Sequence, residues 1–407
     1  MAVLGKNNLK GLKSMKKKFR IGSVLLSAIL LTSFSVAFVA VAAVPGNAAS
    51  GQIRVSQAEH RADVLVVDFL LFADDFIERR TAALMGNKKM TPELVSGNGS
   101  VYESMRVVDA EKNALTELNA RRDVLREWGE AYSHSLTEVT LQRYNIEGGV
   151  ATLDVEEFTK LYYEKIRGDE PDYTAWVSHR RFVFSKSTTG WELVSQELLN
   201  ENGPAPKNEP AGVTKDAMRR TLVEIASAQN MDIDRFTSTS NPTSNVTIQS
   251  TFNNAAARDY AIRWWNVRNP AYRSFAENCT NFISQAMRAG GWTNVYGWYR
   301  DARHWWYNWL NQTWSWVGVR HWHEFAFTHS RRTGLLSWPR SLLEGEVLLV
   351  DFQPDGTKDH SMIVTRKTAT EIYLTYNTVD HLNRSFASLS LAFPNARWFP
   401  HMIFLRF

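Results

Sequence analysis

Cysteine is nearly absent from this chain: Cys279 is the only one in 407 residues. A single thiol excludes an intramolecular disulfide framework, so packing alone has to stabilise the fold. Internal repeats and long low-complexity tracts are also missing, which leaves ordinary globular domains. The folded part lacks an excess of positive charge as well. Taking the +7 of the first 48 residues from the +5 of the whole chain leaves −2. The sequence pI of 9.1 therefore belongs to the leader. The basic face that nucleic-acid binding needs is not expected.

Residues 1–20 carry six lysines, one arginine and no acid, and the charge-free run IGSVLLSAILLTSFSVAFVAVAAV follows, then the small residues VPGNAAS. This is the order of a secretory signal, with cleavage expected near Ala48 or Ala49. The run is also long enough to act as an uncleaved membrane anchor. The small residues favour cleavage, and Met15 is an alternative start that leaves a more ordinary basic region. The expected protein is secreted or cell-wall associated, with no stable membrane association once the leader is removed.

The mature length suggests two domains. Tryptophan marks the boundary: 12 of 15 lie in residues 251–407, and only Trp128, Trp176 and Trp191 come earlier. In residues 50–200 apolar side chains recur at helical spacing through Leu65, Phe69, Phe72 and Phe76, with Gly86 as a stop. A second helix is expected from about Tyr102 to Trp128. The period then changes to two: Val139 and Leu141, a turn at 145–149, Leu153 and Val155. A hairpin closes the pattern, with Phe182 and Phe184 on one arm and Trp191 and Leu193 on the other. Helices followed by an antiparallel meander are an α+β pattern. It resembles the cone-shaped nuclear-transport-factor-2-like fold in element order and in its closing tryptophan hairpin. Asp74, Asp75, Glu156 and Glu157 read as solvated acids, so a binding or spacer role is expected. Residues 201–250 form a linker of proline, glycine and asparagine, with one short helix in KDAMRRTLVEIASAQ. The linker and the tryptophan contrast predict that 251–407 folds by itself.

In ENCTNFISQAMRAGGW, Asn278 is a good N-cap residue, Gly290–Gly291 is a stop, and Phe282, Ile283, Ala286 and Met287 form one stripe. Cys279 therefore opens a helix, where the free N–H groups favour thiolate and can hold an oxyanion. A free cysteine is also common as a small buried hydrophobe. A nucleophilic thiol needs a base and a partner for the base. Downstream, an apolar strand at 345–352 leads through Pro354-Asp355-Gly356 to a return strand that starts at His360, and the next strand ends in Asn377.

At these residues the chain resembles the bacterial putative amidase-domain family, related to papain-like amidases of the CHAP and NlpC type. The resemblance runs through ENCTNFISQAMRAGGW, WSWVGV, DHSMIVT and IYLTYNTVDH, nearly all of 251–407. It implies an α+β domain with a Cys-bearing helix on an antiparallel sheet. It also implies Cys279 as nucleophile, His360 as base and Asn377 as the residue orienting the imidazole, with Asp380 in reserve. Two positions depart from the pattern: the residue before the cysteine is often Asp and here is Asn278, and the third site is often His and here is Asn377. The expected activity is amide hydrolysis through a thioester, on a peptide or peptidoglycan-like amide and without a cofactor. Two alternatives stay open, a cell-wall binding module without catalysis and an acyl transferase using the same Cys-His site. His304, His321, His323 and His329 lack metal-ligand spacing. The run WYRDARHWWYNWLNQTWSW is divided between core and a stacking groove.

Overall fold

The computed structural model describes residues 57–85, 101–168, 170–199, 214–228 and 251–404. Contacts divide the chain into two units, Met1–Val55 and Ser56–Phe407. The leader, its cleavage site, most of the 201–250 linker and Gly86 lie outside the described residues.

Helix α1 (Gln57–Leu84) and helix α2 (Met105–Glu127) flank a short strand β1 (Val101–Glu103). Ser104 caps α2 by accepting from Val107 N at 3.3 Å. An antiparallel meander follows: β2 (Tyr132–Glu147), β3 (Val150–Tyr163), β4 (Tyr173–Lys186) and β5 (Trp191–Leu198). The stripe predicted on α1 is its buried face. Phe69 stacks on Phe184 at 4.3 Å, and Phe76 meets Phe182 edge-on at 5.5 Å. The segment read as linker contains α3 (Lys215–Ala228), whose Met218 and Leu222 are fully buried.

The C-terminal lobe begins with α4 (Asn254–Trp264) and α5 (Cys279–Ala289). The short helices α6 (Trp314–Val317) and α7 (Val319–His323) and a π-helical turn (Glu324–His329) follow. Strands β6 (Thr333–Leu335), β7 (Val347–Asp351), β8 (His360–Lys367), β9 (Ile372–Tyr376) and β10 (Asp380–Ser385) come next, then α8 (Phe386–Ala392) and β11 (Arg397–Ile403). The strands of both lobes form one eleven-stranded sheet in the order β1-β5-β4-β10-β9-β8-β7-β11-β6, with β3 also on β4 and β2 on β3.

The join lies at β4. Its C-terminal half pairs with β5, while Ala175, Trp176 and Val177 pair with Leu382, His381 and Asp380 of β10. The shared sheet carries a core on each face of the C-terminal lobe. Val347, Leu349 and Ile363 pack under α4 and α5. Leu348, Val350, Met362 and Val364 point the other way, against Val124 and Leu125 of α2, Met218 and Leu222 of α3, and Leu389 of α8.

The tryptophan-rich run supplies much of the first core. Trp305 contacts Trp316 at 4.5 Å within the run, and Trp292 and Trp322, which flank it, stack at 5.7 Å. Each buried ring of this size removes roughly 150–250 Å² from water. Trp298 and Trp309 stay exposed at 64% and 79%, so the run divides between core and surface. Glu157 corrects the reading of a solvated acid. It is buried and accepts from Trp176 Nε1 at 2.7 Å, Ser178 Oγ at 2.9 Å and Arg180 Nε at 2.6 Å. Burial alone raises its pKa, but Arg180 and these donors lower it further, so it stays a carboxylate.

Candidate functional site

Helix α5 is enclosed on every side: residues Cys279 to Met287 are all buried. The polar residues between its apolar positions are therefore paired. Asn281 accepts from Trp316 Nε1 at 2.8 Å, Ser284 donates to Trp316 O at 2.8 Å, and Trp305 Nε1 donates to Ser284 Oγ at 3.1 Å. The Gly-Gly stop has two causes. A Cβ at Gly290 would meet the Phe252 ring at 2.3 Å, and Gly291 has φ +112°.

Asn278 precedes the helix, but its side chain does not cap the backbone. Its Oδ1 accepts from Phe275 N at 3.3 Å and Asn281 Nδ2 at 2.9 Å, and its Nδ2 donates to Asn377 Oδ1 at 2.8 Å.

Cys279 is 3% exposed and carries the only free thiol among the described residues. Its Sγ lies 3.7 Å from Thr280 Oγ1, which in turn lies 3.3 Å from Ser361 Oγ. Burial raises the thiol pKa above the ordinary range, while hydroxyl and backbone N–H bonds from Thr280 and Ser361 pull the other way. The thiol is therefore held protonated in this arrangement.

His360 is the first residue of β8 and pairs with Val350, while its neighbour Ser361 pairs with Leu349. Successive strand residues point to opposite faces. Ser361 thus faces Cys279, and His360 faces α2 and α8, where its ring lies 5.0 Å from Tyr376 and 6.1 Å from Phe352. Neither ring nitrogen has a hydrogen-bond partner among the described residues. Burial pushes the imidazole pKa down to about 3, so it is neutral at pH 7.

Asn377 does not orient that ring. Its Oδ1 accepts from Asn278, and its Nδ2 donates to Trp265 O at 2.6 Å. Asp380, the reserve candidate, is held by Arg268 through two bonds of 2.9 and 3.0 Å. The structure therefore brings Cys279, Asn278 and Asn377 to one face and leaves His360 on the other. The alternation of β8 is the reason, and the start of a strand is where periodicity is hardest to read. Sequence reasoning missed Thr280 and Ser361 as the groups around the sulfur, although each is the next residue after one it chose.

Two of the histidines outside this site contact other titratable side chains. His323 Nδ1 lies 2.9 Å from His401 Nε2, and His304 Nε2 lies 3.8 Å from Asp301 Oδ2. Among the described residues no group of three or more His, Cys, Asp and Glu is placed to hold a metal ion. No helix among them is long and apolar enough to cross a membrane.

A helix that begins at Cys279 and rests on antiparallel strands makes the C-terminal lobe an α+β domain. Residues 251–399 match the family model described as the putative amidase domain. The chain is also 35% identical over 119 residues to the uncharacterized protein YhbB of Bacillus subtilis (strain 168). That alignment covers 28% of this chain and 38% of YhbB, so the chain spans well under half the length of this relative. No solved structure matches the chain.

Proposed function

We propose that residues 251–399 hydrolyse amide bonds with Cys279 as the nucleophile. The family match supports amide-bond hydrolysis. The observation that supports the cysteine is its place as the first residue of α5, where the helix N-terminus and the N–H and hydroxyl groups of Thr280 and Ser361 surround the sulfur. The sulfur attacks the carbonyl carbon, the C–N bond breaks and the amine leaves with a proton. Water then cleaves the thioester, releasing a carboxylic acid and restoring the thiol.

The thiol proton needs an acceptor, and His360 is the one the family resemblance implies. Its ring reaches the sulfur only if the start of β8 turns over. His360 is the first residue of that strand and follows the irregular segment 352–359, and the turn has to break the bond from Asp359 N to Val350 O and the register of His360 with Val350. Asn377 then acts by holding Asn278 and the start of α5 in place. The proposed substrate is a peptide amide of the cell wall, reached by an exported chain.

The separation of His360 from Cys279 favours a second reading, a wall-binding module without catalysis. Digestion of purified peptidoglycan and of a panel of simple amides, with mass analysis of the products, separates the two. Hydrolysis products that vanish in Cys279→Ala and in His360→Ala support the first reading. Binding of peptidoglycan without any product supports the second. Products carrying an added amine in place of water indicate acyl transfer.

A further inference from the structure

A cavity of about 1300 Å³ lies between α1 and α2 on one side and the shared sheet on the other. Ligand sites commonly span roughly 300–1,000 Å³, so this space admits a long molecule. It opens on the sheet face opposite Cys279, and Cys279 is not among its lining residues.

Three observations describe what it suits. The walls are largely apolar, with Leu118 of α2, Leu161 of β3, Leu389 of α8 and Phe393 just after it. Along the sheet runs a row of rings: Trp176 stacks on His381 at 5.8 Å, His381 on Tyr376 at 4.9 Å, and Tyr376 meets His360 edge-on at 5.0 Å.

The second observation is His360 itself. It is 2% exposed, it lines the cavity, and both ring nitrogens are without a hydrogen-bond partner among the described residues. An imidazole buried with neither nitrogen bonded is costly. A ligand oxygen beside it removes that cost.

The third is charge. Seven Lys and Arg line the cavity against three carboxylates, and counting Glu111, the ion-pair partner of Arg80, still leaves three more cations than anions. Arg384 Nη1 donates to the Tyr376 hydroxyl at 3.2 Å, which sets one cationic group next to the ring that touches His360.

We propose that this cavity binds a long-chain carboxylate, its apolar chain between α2 and the sheet and its carboxylate at His360, Tyr376 and Arg384. The neutral imidazole donates one N–H to the carboxylate, and the guanidinium balances its charge. The proposal rests on the arrangement in which His360 faces the helices, whereas hydrolysis needs the same ring turned toward Cys279; binding is read by fluorescence and hydrolysis by its products, so the failure of one is distinguished from the failure of the other.

Fluorescence titration of the full chain with cis-parinaric acid, a long-chain carboxylate, tests it. Saturable one-to-one binding is expected, weakened tenfold or more in Arg384→Met and in His360→Phe, and abolished in Leu118→Trp, which fills the cavity. The methyl ester of the probe should bind at least tenfold more weakly than the acid. Near-UV circular dichroism identifies any variant that has lost its fold, and the ester comparison needs no variant at all. Equal binding of acid and ester overturns the anionic head group. Failure to saturate, or binding unchanged in the folded Leu118→Trp and Arg384→Met variants, overturns the cavity as the site.

Discussion

The Asn278 side chain donates to Asn377 Oδ1 across 2.8 Å, and Asn377 passes the connection on to Trp265 O at 2.6 Å. The residue before Cys279 and the residue after β9 are thus bonded to each other. Together they tie the start of α5 and the end of β9 to the end of α4. Asn377→Ala removes the acceptor of Asn278 Nδ2 and a donor to the Trp265 carbonyl, so it should destabilise the lobe by about 1–3 kcal/mol. Urea unfolding measures this. A loss of activity with unchanged stability would instead assign Asn377 a direct part in the chemistry.

Each lobe uses the other to close its sheet. Strand β10 pairs with β4, and the face carrying Leu348 and Met362 is covered by Val124, Leu125, Met218 and Leu222 from outside residues 251–407. A fragment of 251–407 therefore exposes a strand edge and an apolar face. It is expected to be less soluble and to unfold at lower urea than the protein containing residues 101–228. A monomeric fragment with the same unfolding midpoint would show that the shared sheet adds nothing.

Much of this was legible beforehand, because amphipathic elements declare themselves by period. The α1 stripe, the hairpin of Phe184 and Trp191, and the Phe282–Met287 stripe all lie where spacing put them. What spacing could not give was which face the first residue of β8 takes. His360 and Ser361 differ by one position and by the whole thickness of the sheet. The union of two α+β lobes into one sheet was equally hidden, since strand pairing between distant segments leaves no local periodicity. Glu157 was misread because its partners Trp176, Ser178 and Arg180 lie on the neighbouring strand.

Glu346 gives a test in pH. It is 2% exposed and accepts from Leu343 N at 2.8 Å and Ile403 N at 3.0 Å, yet burial outweighs these bonds and lifts its carboxyl to about 7. The ordinary value is 4.5, so between pH 4.5 and 7 the folded state holds the extra proton. Stability then falls as pH rises through that window, by on the order of 3 kcal/mol for this group. Relative to Glu346→Gln, which does not titrate, the wild type should lose stability between pH 5 and pH 8. A relative gain over that range would mean that the carboxylate is the favoured form in the fold.

The Cys279 thiol, buried and with its pKa raised, should react slowly with iodoacetamide at pH 7. The rate should climb only above the free-thiol range near 8.5. Labelling at pH 6 as fast as that of an activated thiolate would mean that His360 or another cation already stands beside the sulfur. In that case a bell-shaped rate profile is expected in place of a single rise.

The central claim is that Cys279 carries an acyl group during amide hydrolysis. Its most direct test is acid quenching of the protein during turnover of peptidoglycan fragments or a reactive amide, followed by mass analysis of the peptide that contains Cys279. An added acyl mass on that peptide is expected in the wild type and, in Cys279→Ala, a loss of several orders of magnitude in rate. Hydrolysis by Cys279→Ala within about tenfold of the wild type would contradict it.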